Sequence, residues 1–232
     1  MLKLTPILLA VGYGLVMYLF SSWRTKRELD ARSSELADRS LIALTDKFAK
    51  VLDVDRIRVN VYEVDAVNGL AAPDGRIFIT RGFYDRYRAG EVTAEEIASV
   101  IAHELGHVAL GHTRRRMIDF SGQNAVRAVL AGVLGRIIPG IGPWIGGMVA
   151  SLLAARLSRQ DEYEADAYAS ALLVSAGIGT GPQKTLFEKL EGLVGLKGGG
   201  APAWLMSHPK TAERISAIEA LEARWQDSGQ PE

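Results

Sequence analysis

The chain has 232 residues, enough for one well-buried core, and its 27 Lys and Arg balance 27 Asp and Glu. That balance lacks the clustered basic excess of a nucleic-acid surface, so no nucleic acid is expected among its partners. Cysteine is absent, which excludes disulfides, thiolate metal sites, a cysteine nucleophile and an acylated cysteine anchor; any transition metal must be held by His, Asp or Glu.

The first element is apolar. From Leu4 to Ser22, LTPILLAVGYGLVMYLFSS runs 19 residues without a charge, close to the length needed to span a bilayer. Tyr18 and Trp23 stand where an interfacial aromatic belt would lie, and no small-x-small cleavage site precedes WRTKRE. Residues 1–23 are therefore expected to form an uncleaved transmembrane helix in contact with lipid, and residues 24–232 the functional domain. Arg24, Lys26 and Arg27 outweigh Lys3 and the amino terminus on the other flank, which predicts a single-pass protein with its domain in the cytoplasm.

Residues 26–53 read as one helix, with Leu29, Leu36, Leu41, Leu44 and Phe48 on an apolar stripe. RIRVNVYEV (56–64) alternates Ile57, Val59 and Val61 with polar neighbours, a half-buried strand, and RIFIT (76–80) is a second. Thr93 and Glu96 form a capping-box pattern, so a helix begins at Ala94 and runs through IAHELGHVALGH (101–112). Residues 126–157 are strongly apolar but are interrupted by PGIGPWIGG (139–147). A loop and helix hairpin packed on the core or dipping into the membrane interface is expected there. Further helices are predicted from about Leu152 to Ala176 and from Gln183 to Val194, followed by the flexible loop GLKGGGAPAW. The last helix, about Lys210 to Trp225, should bury Ile215, Ile218, Leu221 and Trp225. The fold class is α+β, mainly helical with a small sheet, and no internal repeat is present.

The chemistry concentrates in the capped helix, which holds three of the chain's four histidines. At about 100° per residue, His103 and His107 lie about 40° apart on one face, with Glu104 on the adjoining flank. This is the HExxH arrangement, in which two imidazoles hold zinc and the carboxylate stands beside the metal's water. His112 falls on the opposite side of a continued helix, and the positions of a metzincin extension hold Leu110 and Thr113. His112 is expected instead to meet the negative end of the helix dipole.

A catalytic zinc takes three protein ligands. SRQDEYEADAYAS (158–170) offers Asp161, Glu162, Glu164 and Asp166. Glu162 and Asp166 share a helix face and Glu164 points away. Glu162 is the expected third ligand, and Asp166 the acceptor for the other ring nitrogen of a ligating histidine. The alternate alanines 165, 167, 169 and 171 suit close helix packing.

These motifs resemble those of the gluzincin-type membrane peptidases of the HtpX and CaaX-prenyl-protease family. SRQDEYEAD is similar to the family's S-R-x-x-E-x-x-A-D, which also assigns Glu162 to the metal. NGLAAPDGRIFITRGF (68–83) resembles its N-A-x-A-x-P-x-G-x-I, with Gly69 in place of alanine, and SHPKTAERI (207–215) its H-P-x-x-x-x-R-I. The resemblance implies that Asn68, Gly69, Leu70, Ala71 and Ala72 line the cleft as an edge strand to which substrate adds. It implies that His208 faces the site, steadying an oxyanion or capping the metal at rest, and that Arg214 ties the last helix to it. One N-terminal span, where family members have several, speaks against an enclosed membrane chamber. The expected function is that of a membrane-anchored endopeptidase with one zinc ion, acting on unfolded or membrane-associated polypeptides. The alternative is a non-hydrolytic, chaperone-like zinc protein at the membrane, for which Glu104 would be superfluous.

Overall fold

The computed structural model describes residues 5–72, 74–112, 142–194, 208 and 211–228. Helix α1 (Thr5–Ala31) is followed by β1 (Ser33–Glu35), α2 (Arg39–Val51), β2 (Val59–Tyr62), β3 (Gly69–Ala71) and β4 (Ile77–Thr80). Then come α3 (Arg81–Arg88), α4 (Ala94–Ala109), α5 (Gly142–Ser175), α6 (Gly181–Val194) and α7 (Thr211–Ser228). The fold is mainly helical α+β with a small mixed sheet.

The sheet has four strands in the order β1-β2-β4-β3. β2 and β4 run parallel, with Val59 opposite Ile77 and Val61 opposite Ile79, while β1 and β3 are antiparallel to their neighbours. β3 is an edge strand, with no strand on its other side among the described residues. One face of the sheet packs Val59, Val61, Ile77 and Ile79 against Phe48 of α2 and Ile97 and Ile101 of α4. Complete burial of side chains such as Phe48 contributes about 1.5–3 kcal/mol each. On the other face Leu29 of α1 meets Ala72 and Phe78, with Leu70 and Tyr62 around them.

The single helix expected over 26–53 is two helices with a strand between them. The leucine spacing fits a helix, but Ser33–Glu35 pairs with Asn60–Tyr62, a long-range contact that periodicity does not encode. Asp38 then caps α2 by accepting from the Ser40 and Leu41 amides. Helix α4 starts as expected, with both halves of the Thr93–Glu96 capping box formed. The predicted start of α5 at Leu152 is too late, because the helix already begins at Gly142. Pro143 lies in its first turn, where a missing amide costs nothing. Residues 126–141 of the apolar stretch and the predicted loop 195–204 lie outside the described residues.

The uncharged N-terminal run from Thr5 onward is helical as part of α1. Among the described residues, however, no helix is long and apolar enough to cross a membrane. Tyr13, Leu15, Val16, Leu19, Phe20 and Trp23 are exposed on α1.

Candidate metal centre

Helix α4 is the floor of the site. Its middle is buried on nearly all sides, because the sheet, α2, α5 and α6 all pack on it. Gly106 lets α5 come close: a Cβ there would stand 3.0 Å from the Ala165 carbonyl oxygen and 3.1 Å from its Cα. That approach carries the acidic segment of α5 to the histidines.

The Nε2 atoms of His103 and His107 are 3.1 Å apart. Glu162 completes a triangle, Oε2 lying 3.4 Å from His103 Nε2 and Oε1 3.6 Å from His107 Nε2. Bonds of about 2.0–2.1 Å to a tetrahedral zinc place neighbouring ligand atoms about 3.3–3.4 Å apart, so this donor set fits that ion. His208 joins the group. Its Nδ1 is 3.3 Å from His103 Nε2 and hydrogen-bonds Glu162 Oε2. Ligand atoms of all four residues lie within 4.8 Å of one another.

The field around them favours a cation. Burial disfavours charge on His103, but its contacts with Asp166 and Glu162 outweigh this and hold its pKa up, at about 9. Glu162 is held well below the usual carboxylate range, its burial overcome by His103 and His208. Asp166 is lowered too, against its burial, by the Arg214 charge and by His103.

Behind His103 stands a charged array. His103 Nδ1 is 2.9 Å from Asp166 Oδ1. Arg214 grips both oxygens of that carboxylate, with Nε and Nη2 each at 2.6 Å, and donates through Nη1 to the His208 carbonyl at 3.3 Å. Its guanidinium also covers the Phe187 ring at 4.4 Å. Arg214 is thus fully buried on the face of α7 expected to be apolar. Ile218 is buried there, while Ile215, Leu221 and Trp225 are only half-buried.

Glu104 points into the space beside the triangle. It is buried, its Oε1 has no hydrogen-bond partner, and His208 Nε2 is 3.6 Å away. Strand β3 passes alongside, since a Cβ on Gly69 would come 2.4 Å from Val100 Cγ1 and 3.6 Å from Glu104 Cγ. Val100 fills the space that the family's usual alanine would need. Of the five expected cleft residues, Gly69 and Ala71 face α4, whereas Leu70 and Ala72 pack on the opposite side of the sheet with Leu29 and Phe78. Their backbone is turned to β4, with Ala72 donating to the Arg76 carbonyl at 2.8 Å and accepting from the Gly75 amide at 2.9 Å, which leaves the backbone of Gly69 and Ala71 at the open edge. Asn68 is tied by its amide and carbonyl to the Thr80 hydroxyl at 2.9 and 3.0 Å, leaving its buried Oδ1 without a partner.

His112 is not where a straight helix would put it. Leu110 caps α4 and Gly111 takes a φ of +70°, so the chain turns back and buries the His112 ring completely. Its Nδ1 lies 3.0 Å from His107 Nδ1. Gln183, which donates to Asp166 Oδ1 at 3.4 Å, carried no signal in the sequence.

A helix presenting two imidazoles and a carboxylate, closed by a glutamate from a second helix, defines a metallopeptidase-type centre. The chain belongs to peptidase family M48, which it matches over residues 22–222. It is a metalloendopeptidase, and zinc is its metal. Among curated relatives, Metalloprotease LoiP of Escherichia coli is 31% identical over 84% of this chain and 73% of its own length. Metalloprotease YcaL of the same organism is 32% identical over 74% of this chain and 66% of its own. Protease HtpX of Stenotrophomonas maltophilia is 24% identical over 90% of this chain and 83% of its own.

Proposed function

We propose that His103, His107 and Glu162 hold a single zinc ion, that Glu104 is the general base, and that the chain cleaves unfolded or membrane-associated polypeptides. The observation carrying this reading is the buried Glu104 Oε1, without a hydrogen-bond partner, beside the three-ligand triangle. When bound, zinc acidifies a water and polarises the scissile carbonyl. Glu104 takes the water's proton and delivers it to the leaving amine nitrogen.

Asp166 fixes the His103 ring through Nδ1, and Arg214 holds Asp166 and the His208 backbone in place. His208, in hydrogen-bond contact with Glu162 and 3.3 Å from His103, suits the resting cap better than an oxyanion donor. Swinging it off the triangle would put Nε2 within reach of a developing oxyanion. Substrate adds to the edge strand over residues 68–72, pairing with the backbone of Gly69 and Ala71, while Leu70 and Ala72 hold that strand to the sheet and the Asn68 side-chain amide lies at its start. Strand addition reads backbone more than side chains, which suits extended, unfolded segments.

Residues 1–23 anchor the chain to lipid and residues 24–232 form the peptidase domain, on the cytoplasmic side by the flanking charges. Supporting the anchor are the apolar side chains exposed along α1 as far as Trp23. The test is zinc content and casein cleavage by the purified full chain. The parent loses cleavage to a chelator and regains it with zinc, while Glu162→Ala loses both metal and cleavage. Cleavage by Glu162→Ala at the parent's rate would overturn the reading.

A further inference from the structure

His107 and His103 differ in what stands behind them. His103 meets the Asp166 carboxylate directly, whereas His107 Nδ1 meets another imidazole nitrogen, His112 Nδ1, at 3.0 Å. His112 Nε2 in turn lies 3.1 Å from Glu164 Oε2 and 3.6 Å from Asp161 Oδ1. Gln160 holds the other Glu164 oxygen at 2.9 Å.

Hydrogen-bond bookkeeping fixes this row. An imidazole that gives its Nε2 lone pair to a metal carries its proton on Nδ1, so His107 Nδ1–H must donate. The His112 Nδ1 lone pair, 3.0 Å away, accepts that proton. His112 must then carry its own proton on Nε2, where the Glu164 carboxylate accepts it, with Asp161 beside. In this arrangement the row points from metal ligand to carboxylate.

We propose that His112 is a positioning residue for the metal centre: it accepts from His107 Nδ1 and, held by Glu164 and Asp161, fixes the tautomer and orientation in which His107 offers Nε2 to zinc. This rests on the reading of His107 as a ligand. The sequence hid it because His112 reaches His107 only through the left-handed turn at Gly111. Partners of this kind contribute about 10–100-fold to metal affinity.

The experiment measures zinc dissociation constants on the purified full chain by competition with a chromophoric chelator, so that no activity readout is needed. His112→Leu removes the acceptor and weakens zinc binding by about 10–100-fold. His112→Asn places Oδ1 where Nδ1 stood and stays within a few-fold of the parent. Long-range 1H–15N NMR of the zinc-loaded parent finds His112 protonated at Nε2 and His107 at Nδ1. Equal losses in the two His112 variants, parent-like affinity in His112→Leu, or a proton on His112 Nδ1 each overturn the proposal. His107→Ala separates the two levels. Loss of zinc there with parent-like binding in His112→Leu sinks the positioning role alone, and retained zinc in His107→Ala sinks the ligand reading and this inference together.

Discussion

The two sides of the metal centre are built from different parts of the chain. The His103 side is closed by Asp166 of α5, Arg214 of α7 and the His208 backbone, all buried and charged or tied to charge. The His107 side is closed by His112, five residues along the same segment, and by Glu164, whose side chain is 41% exposed. One side depends on three helices arriving together; the other pairs the segment that continues α4 with a half-wet residue of α5. Long-range assembly therefore couples the first side to global stability, while the second can fail with the fold intact.

The largest effect expected is on the first side. Arg214→Ala leaves Asp166 buried without its cation and releases the His208 carbonyl, a loss of roughly 3–5 kcal/mol by analogy with broken buried pairs. Chemical denaturation of the full chain measures it, and a loss under about 1 kcal/mol would mean that this side is no more coupled to the fold than a surface ion pair.

Next comes metal affinity. Asp166→Asn keeps the volume but replaces the carboxylate behind His103, and zinc binds about 10–100-fold more weakly. Glu164→Gln costs only a few-fold, because it acts at one remove through His112 and from a half-wet position. Chelator competition on both variants ranks the two sides, and the reverse ranking would invert the comparison.

Gly106→Ala probes the packing that joins α4 to α5. The added methyl meets Ala165 backbone at 3.0–3.1 Å, and relieving it costs about 1–3 kcal/mol. Thermal unfolding should register the loss, accompanied by weaker zinc binding as Glu162 is pushed outward. Unchanged affinity would show that α5 yields without moving Glu162.

The smallest effect lies at the far end of α4. Burial would raise the Glu96 carboxyl, but Lys189, the Thr93 amide and the Thr185 hydroxyl outweigh it and hold it below its ordinary 4.5. The stabilisation is therefore present above pH 4.5 and is lost as pH falls through the lower folded value. Relative to the parent, Glu96→Gln should lose about 1 kcal/mol near neutrality, and the gap should close in acid. A gap that widened in acid would reverse the sign assigned to Glu96.

What the sequence disclosed divides along the same line. Faces within one helix were legible: His103 with His107, and Glu162 with Asp166, follow from the helical period, as does the start of α4 from its capping box. Anything requiring the chain to leave that period was not. His112 was read along a helix that ends at Ala109, and Leu36 along one that gives way to a strand paired with β2. Arg214 lies on a helix whose apolar spacing gave no hint that a guanidinium, paired with Asp166, would be among its deepest side chains. Leu70 and Ala72 show the limit of reading a motif without its sheet, since strand alternation turns them away from α4.

The central claim is that Glu104 performs the proton chemistry without holding the metal. Glutamine has nearly the same size and still hydrogen-bonds, so Glu104→Gln tests it with little packing loss. Zinc stoichiometry and casein turnover are measured side by side on parent and variant. The expected result is parent-like zinc content with turnover reduced at least ~10²–10⁴-fold, the range of general acid–base catalysis. Casein cleaved by the zinc-loaded variant as fast as by the parent would contradict it.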